Sequence, residues 1–84
     1  MKKFKRIVLT GASGRLGSYL RKPLSSITKS LVSLDIEPIG KTLENEIFEL
    51  VDLSNYLEIE RVLEKTDIVI HFGALSNEGP FANI

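Results

Sequence analysis

Three glycines stand at a spacing that suits contact with a phosphate group. They lie in the run Thr10-Gly11-Ala12-Ser13-Gly14-Arg15-Leu16-Gly17, where two residues separate each glycine from the next. The first glycine permits a sharp turn, the second lets the backbone approach a pyrophosphate, and the third lets a helix pack close to a sheet. A helix that begins there presents unpaired N–H groups to an anion. The run therefore predicts a dinucleotide-binding turn between a strand and a helix.

Two other interpretations of the glycine run are weaker. A P-loop requires Gly-Lys-Ser/Thr after four residues, and Leu16 stands where its second glycine would be. A plain glycine-rich turn with no ligand is the remaining alternative. We favour the dinucleotide interpretation because the run directly follows a predicted strand and opens a predicted helix.

An acidic residue follows at the distance expected for a ribose contact. Asp35 comes roughly 20 residues after the glycines, at the end of a second predicted strand. A carboxylate there accepts hydrogen bonds from the adenosine ribose and repels a 2′-phosphate, so NAD is favoured over NADP. The weaker alternative is an aspartate that only starts the turn before Glu37 and Pro38.

The acidic residue after the third predicted strand has two interpretations of equal weight. Asp52 would reach the adenine amino group if strands two and three end at the same edge of the sheet. Alternatively, Asp52 only helps Ser54 to begin the next helix. The residues alone do not separate these two roles.

The elements that must hold these residues alternate between strands and helices. The predicted strands are short and apolar, which is typical of strands buried on both faces of a parallel sheet. We predict strands at 4–10, 30–35, 47–51 and 67–72, a helix after the glycines, a loop over 36–46, and a helix from an N-cap at Ser54 to about Lys65. This order predicts an α/β, Rossmann-type parallel sheet of four strands in the order 3-2-1-4, with the cofactor crevice between strands one and four.

Apolar residues recur at helical spacing in both predicted helices. The apolar face of the first is predicted to be Leu16, Leu20, Leu24 and Ile27, and that of the second Tyr56, Leu57, Ile59, Val62 and Leu63. Pro23 is expected to kink the first helix or to end it early, because proline lacks an N–H and clashes with the preceding turn. Glu58 and Arg61 are spaced to form an ion pair on the exposed side of the second helix.

The composition excludes several classes of site. Lys and Arg number 11, Asp and Glu also number 11, and the net charge is +0, so we expect no nucleic-acid partner. The 84 residues include no Cys and one His, which excludes disulfides, thiolate metal sites and sites with several His ligands. No apolar run approaches the ~20 residues of a membrane span. We expect a single cytoplasmic domain over 1–84 with no membrane partner.

Four segments together resemble the extended short-chain dehydrogenase/reductase family, which includes the NAD-dependent epimerases and dehydratases. They are the glycine run, Asp35, Asp52-Leu53 and His71-Phe72-Gly73-Ala74. Within that family, the residues from His71 to Phe81, followed by Asn83-Ile84, are most similar to the uronate dehydrogenases, which oxidise hexuronic acids with NAD. The resemblance spans the chain but only the N-terminal part of such an enzyme. We therefore interpret the chain as a truncated half of a doubly wound fold.

The resemblance implies a role for each matching residue along the cofactor. The residues around the pyrophosphate would be Gly11, Ser13, Gly14, Arg15, Leu16 and Gly17. Asp35 would hold the adenosine ribose and Ile36 would border the adenine. The remaining contacts would come from Asp52 and Leu53 to adenine, Gly73 and Ala74 to the nicotinamide-side ribose, and Ser76 to the sugar acid.

The catalytic pair of that family is not found in these residues. The pair is Tyr-x-x-x-Lys, in which the tyrosine takes the hydroxyl proton and the lysine lowers its pKa. Pro23 lies four positions after Tyr19, and Glu60 lies four after Tyr56. His71 is interpreted as a hydrogen-bonded structural residue rather than a base. We predict no catalytic residue, no metal ligand and no turnover by this chain alone.

Three functions remain open on the sequence. The first is the NAD-binding part of a uronate dehydrogenase, which the segment after strand four favours. The second is the same part of a nucleotide-sugar epimerase or dehydratase, and the third is a non-catalytic NAD-binding remnant. Strand four is expected to be an open edge, so the chain is also expected to associate with itself through Ile68, Val69 and Ile70.

Overall fold

Strands and helices alternate along the computed structural model, which describes residues 2–52 and 54–72. The elements within these residues are β1 (Phe4–Thr10), α1 (Arg15–Ser25), β2 (Thr28–Asp35), β3 (Glu46–Leu50), α2 (Tyr56–Leu63) and β4 (Ile68–His71). The connection between β2 and β3 contains no helix, as predicted.

The strands form one parallel sheet in the order β3-β2-β1-β4. Val8 of β1 pairs with Val32 of β2 on one side and with Val69 of β4 on the other. The chain thus proceeds from β1 outward through β2 to β3, and then crosses back to place β4 beside β1. The predicted topology is confirmed. The winding reverses between β1 and β4, which is where open α/β sheets bind ligands at their carboxyl ends.

Side chains of the central strands alternate between two apolar layers. Ile7 and Leu9 of β1 are buried in the layer that contains Leu24 of α1. Val8 lies on the opposite face of the sheet, in the layer that contains Val62 of α2. Within the part of the chain that the structure describes, the sheet therefore carries one helix on each face, and each helix contributes at least one buried apolar side chain.

The first helix ends two residues after its internal proline. The Ser26 amide donates to the Pro23 carbonyl at 3.3 Å, and the chain then leaves the helix. The early end predicted from Pro23 is confirmed. The predicted apolar face is right for Leu24, which is buried, but wrong for Leu16, which is 60% exposed. Ile27 lies beyond the helix.

The second helix begins and ends at residues other than those predicted. Its N-cap is Asn55, whose side chain accepts a hydrogen bond from the Glu58 amide at 3.3 Å. The sequence predicts Ser54 instead. The helix ends at Leu63, because Glu64 has an extended ψ of 135° and Lys65 then has a left-handed φ of 59°.

Side chains of α2 also depart from the predicted pattern. Val62 is fully buried, but Leu57, predicted on the same apolar side, is 80% exposed. The predicted Glu58–Arg61 pair is wrong, since Arg61 donates instead to Glu49 of β3 at 3.0 Å. Packing of α2 on the sheet brings that strand carboxylate within reach, which spacing along the helix does not reveal.

The boundaries of three strands differ from the prediction by one or two residues. β2 begins at Thr28 rather than 30, β3 lies one residue earlier than 47–51, and β4 is shorter than 67–72 at both ends. Thr28 pairs with Phe4, which extends the central pairing of β1 and β2. The shift of β3 brings Glu46 into the sheet, where it is buried.

Candidate cofactor site

The glycine loop turns sharply at the carboxyl end of β1. Gly11 has a φ of 71°, in the region that glycine adopts without strain. Its amide donates to the Leu34 carbonyl of β2 at 2.9 Å, and the Ala12 amide donates to the same oxygen at 3.2 Å. The loop is therefore fastened to β2 as well as to β1.

Gly17 and Gly14 have different tasks in this turn. A Cβ atom at Gly17 would lie 2.0 Å from the carbonyl oxygen of Gly11, so only glycine lets α1 pack this closely on the loop. This is the packing role predicted for the third glycine. A Cβ atom at Gly14 would lie 3.4 Å from the same oxygen, which is an ordinary contact. Gly14 is exposed, so its backbone is open to a ligand.

The first turn of α1 offers a suitable environment for an anion. Gly14 is the N-cap and supplies no capping side chain, and the first turn contains no acidic residue. The leading amides of a helix have no partner within the helix, and they carry the positive end of its dipole. Arg15 and Leu16, both predicted to surround a pyrophosphate, are exposed in this turn.

Asp35 links the end of β2 to the glycine loop. Its Oδ2 accepts a hydrogen bond from the Ser13 amide at 3.0 Å, and its Oδ1 accepts one from the Glu37 amide at 3.0 Å. Partial burial raises the pKa of Asp35, but these hydrogen bonds outweigh it and hold the pKa below its ordinary value of 3.8. The side chain is therefore a carboxylate at neutral pH, with lone pairs left to accept further hydrogen bonds.

Of the other predicted contacts, two lie in the described residues and four lie outside them. Ile36 follows Asp35 and is 62% exposed. Asp52 is exposed, and its Oδ1 accepts hydrogen bonds from the Ser54 amide at 2.9 Å and the Ser54 hydroxyl at 2.8 Å. These bonds favour the helix-starting role for Asp52, while its adenine contact stays a prediction. The predicted residues outside the described part are Leu53, Gly73, Ala74 and Ser76.

His71 occupies the carboxyl end of β4, beside the point where the winding reverses. It pairs in register with Thr10 of β1, and its Nδ1 lies 2.7 Å from the Thr10 Oγ1 in a hydrogen bond. This contact agrees with the interpretation of His71 as a hydrogen-bonded residue. It ties the ends of the two strands that flank the predicted crevice.

A buried polar cluster between α1, β2 and β3 was not predicted from the sequence. Glu46 of β3 accepts hydrogen bonds from Arg21 of α1 and Ser33 of β2. A signal for it does exist in the sequence, because Ser33 interrupts the apolar run of β2. A buried polar side chain in an apolar strand implies a polar partner in the core.

Among residues 2–52 and 54–72, no helix is long and apolar enough to cross a membrane. Within the same residues, no group of three or more His, Cys, Asp or Glu side chains is placed to hold a metal ion.

Comparison with known proteins identifies the family. Residues 7–83 match the NAD dependent epimerase/dehydratase family, and this match includes the glycine loop and Asp35. The chain belongs to this family. Within it, the chain is similar to a uronate dehydrogenase of Pseudomonas syringae pv. tomato, with 35% identity over 82 residues. Those residues are 96% of this chain but 30% of that relative, so the chain spans less than a third of its length.

Solved structures of uronate dehydrogenases share the same fold. The crystal structure of uronate dehydrogenase from Agrobacterium tumefaciens matches with a TM-score of 0.81 and 30% identity, covering 95% of this chain and 30% of that chain. A mutant of the same enzyme, complexed with NAD, matches with a TM-score of 0.80 and 31% identity. The match covers 96% of this chain and 31% of that chain. The resemblance inferred from the sequence is confirmed at the level of family and fold.

Proposed function

We propose that this chain is the NAD-binding part of an oxidoreductase that oxidises a hexuronate. The observation that carries the proposal is the contact between Asp35 and the Ser13 amide, which sets a carboxylate beside the exposed glycine loop. A dinucleotide needs both features at one place, since its pyrophosphate binds amides and its adenosine ribose binds an acid. The similarity to uronate dehydrogenases favours this function over that of an epimerase or dehydratase.

The residues present fit NAD at the level of individual groups. Gly14 leaves space for a pyrophosphate oxygen against the backbone, and the leading amides of α1 donate to it. Asp35 accepts from the ribose hydroxyls, and its negative charge repels the 2′-phosphate of NADP. Ile36 offers an exposed apolar surface to one side of the adenine. Bound NAD supplies the acceptor for the hydride that leaves the sugar carbon.

The chain's own contribution is binding and orientation rather than proton transfer. Neither Tyr19 nor Tyr56 is followed by lysine at the fourth position, so neither matches the family's proton acceptor. Ser76 is proposed to touch the sugar acid, and Gly73 and Ala74 to border the nicotinamide-side ribose. With NAD and glucuronate or galacturonate, we expect no NADH absorbance above a buffer blank. Turnover that disappears in the Gly14→Val variant would contradict this and would make His71 the first candidate base.

The binding proposal is tested by isothermal titration calorimetry with NAD and NADP. The unaltered chain is expected to prefer NAD. Asp35→Ala should weaken NAD binding about tenfold or more, since a hydrogen bond to a charged group contributes about 1.5–3 kcal/mol. Asp35→Ala should also make the affinity for NAD similar to the affinity for NADP. Glu37→Ala, which removes a nearby exposed carboxylate, is the matched control and should bind NAD as the unaltered chain does. Equal affinity of the unaltered chain for NAD and NADP would refute the role of Asp35.

Self-association through the edge of β4 is a further part of the proposal. In the described residues, β4 pairs with β1 on one side only, and Val69 is 45% exposed. An unpaired edge of this kind offers N–H and C=O groups to a second strand. Sedimentation equilibrium should therefore show dimers that Val69→Lys weakens. A monomer at high concentration would contradict self-association.

A cytoplasmic location is also proposed, from the lack of cysteine, and would be tested by cell fractionation.

A further inference from the structure

Glu46 is the centre of a buried polar cluster on the α1 face of the sheet. Its side chain is 0% exposed, and that of Arg21 is 14% exposed. Arg21 donates from Nε to Oε2 at 2.7 Å and from Nη2 to Oε1 at 2.5 Å, which is a two-point contact in the fork geometry that carboxylates prefer. The Ser33 hydroxyl and the Leu43 amide, at 2.9 Å, also donate to this carboxylate.

The cluster joins α1, β2, β3 and the loop 36–45, which adjoin the proposed NAD-binding residues Gly17, Asp35 and Ile36. Arg21 lies one helical turn after Gly17, so both face the sheet from the same side of α1. Ser33 lies two residues before Asp35 and on the same face of β2. Leu43 belongs to the loop 36–45, which begins at Ile36. Arg21 also donates to the Lys41 carbonyl of that loop at 3.0 Å.

The last residue of the loop 36–45, Asn45, is held by hydrogen bonds from its side chain to the Ser25 carbonyl at 2.8 Å and the Thr28 carbonyl at 2.9 Å. The part of the loop before Asn45 depends more on Arg21 and Glu46, which bond to Lys41 and Leu43. The loop replaces the helix that usually connects parallel strands, and Ile39 is its partly buried apolar contact with the core cluster on the α1 face. Apolar contacts are non-directional, whereas the two-point contact of Arg21 with Glu46 sets both distance and angle. Buried ion pairs add little net stability compared with apolar side chains, but they favour one specific arrangement where the geometry is good.

We propose that Arg21 and Glu46 are positioning residues for the NAD site, an inference that rests on the proposed function. They hold α1, β2 and the loop 36–45 in the one arrangement that keeps Ser13 and the α1 amides beside Asp35. Neither side chain touches the cofactor. Their contribution to binding is the fixed distance between the groups that hold the pyrophosphate and the group that holds the ribose.

The test compares two ion pairs of the same composition. The variants Arg21→Lys and Glu46→Gln weaken the buried pair, and Arg61→Lys and Glu49→Gln weaken the exposed pair on the other face. NAD binding is measured by NMR titration, with the amide signals of Ser13 and Gly14 recorded with and without NAD. Variants of the buried pair should bind NAD about tenfold more weakly, since small displacements of a binding group cost large factors in affinity. Variants of the exposed pair should bind as the unaltered chain does.

Each outcome of this experiment decides a separate point. If the unaltered chain shows no NAD-dependent shifts, the proposed function fails. In that case the inference is still tested by the amide chemical shifts of Ser13 and Gly14 recorded without NAD. These shifts should change in the buried-pair variants and stay unchanged in the exposed-pair variants. If buried-pair variants are folded and bind NAD normally, the positioning role is refuted. If they do not fold, Ser33→Ala removes one donor to Glu46 and should shift the same two signals; unchanged signals would also refute the role.

Discussion

The two faces of the sheet are held to their helices by different forces. On the α1 face, the buried polar cluster of Arg21, Ser33 and Glu46 lies beside the apolar layer. On the α2 face, Val62 packs into an apolar layer, and the ion pair Arg61–Glu49 stays at the surface. The α1 face also carries the glycine loop. The face that carries the glycine loop therefore has a buried ion pair, whereas the α2 face combines apolar burial with a surface ion pair and a hydrogen bond from Arg6 to the Val62 carbonyl at 2.9 Å.

This difference implies that stability and the exact positions of the elements depend on different contacts. Apolar burial lowers the free energy of the folded state in proportion to area and tolerates small shifts of a helix. Hydrogen bonds within a buried charged pair are lost when a helix moves by a fraction of their length. Changes on the α1 face are expected to alter NAD binding and stability together, whereas changes on the α2 face are expected to alter stability alone.

The largest effect is expected from Gly17→Val on the α1 face. The new side chain would meet the Gly11 carbonyl, whose oxygen lies 2.0 Å from the position of a Cβ atom. We expect a loss of at least about 3 kcal/mol in the free energy of unfolding, which is the upper range for overpacking. Urea unfolding followed by circular dichroism measures it. Gly14→Ala is the control, because its Cβ lies at 3.4 Å and should cost little stability. An equal loss in both variants would contradict the account of the loop.

The next largest effect is expected from Val62→Ala on the α2 face. Val62 is fully buried, and the cavity left by its removed methyl groups should cost about 2 kcal/mol. NAD affinity, measured at a temperature where the variant is folded, should stay unchanged. Leu57→Ala on the same helix is the control and should have little effect on stability, because Leu57 is 80% exposed. A drop in NAD affinity with Val62→Ala would remove the proposed difference between the faces.

A smaller, pH-dependent effect is expected from Glu46→Gln. Burial raises the pKa of Glu46, but the hydrogen bonds from Arg21 and Ser33 outweigh it and hold the pKa below 4.5. A carboxyl with a lowered folded-state pKa contributes stability above its unfolded pKa and loses it as pH falls through the folded value. Glu46→Gln should lose about 1 kcal/mol at pH 7. Its stability should then fall less than that of the unaltered chain below about pH 4.5. Thermal unfolding of both chains over a range of pH measures this difference. If the stability of Glu46→Gln and that of the unaltered chain fall equally with pH, Glu46 is not linked to stability in this way.

The smallest effect is expected from Arg61→Ala. The Arg61 side chain is 61% exposed and the Glu49 side chain is 29% exposed. Exposed pairs of this kind contribute about 0.2–1 kcal/mol and are screened by salt. Unfolding at low and high salt should therefore give a small loss that disappears in high salt. A loss larger than that of Glu46→Gln would reverse the ranking of the two pairs.

Most of the fold, and the local structure around the glycine loop and Asp35, follow from short stretches of sequence. The strand order comes from the alternation of apolar strands with helical segments, and parallel crossovers leave few arrangements. The turn at Gly11 and the close packing at Gly17 depend on the local backbone, so the glycine spacing predicts them. Asp35 follows from its place at the end of a strand. These predictions succeed because each depends on a few adjacent residues and one rule of chain geometry.

The partners of the long charged side chains were decided only by tertiary structure. The sequence places Arg61 three residues from Glu58, yet α2 lies where Arg61 reaches Glu49 of β3. Glu46 was expected in a loop, and it became a buried acceptor because β3 begins one residue earlier and faces Arg21. A long side chain has many rotamers, and its partner depends on which elements pack within its reach. Local pattern therefore determined the sheet, the glycine turn and the position of Asp35, whereas the packing of α1 and α2 decided which charges meet.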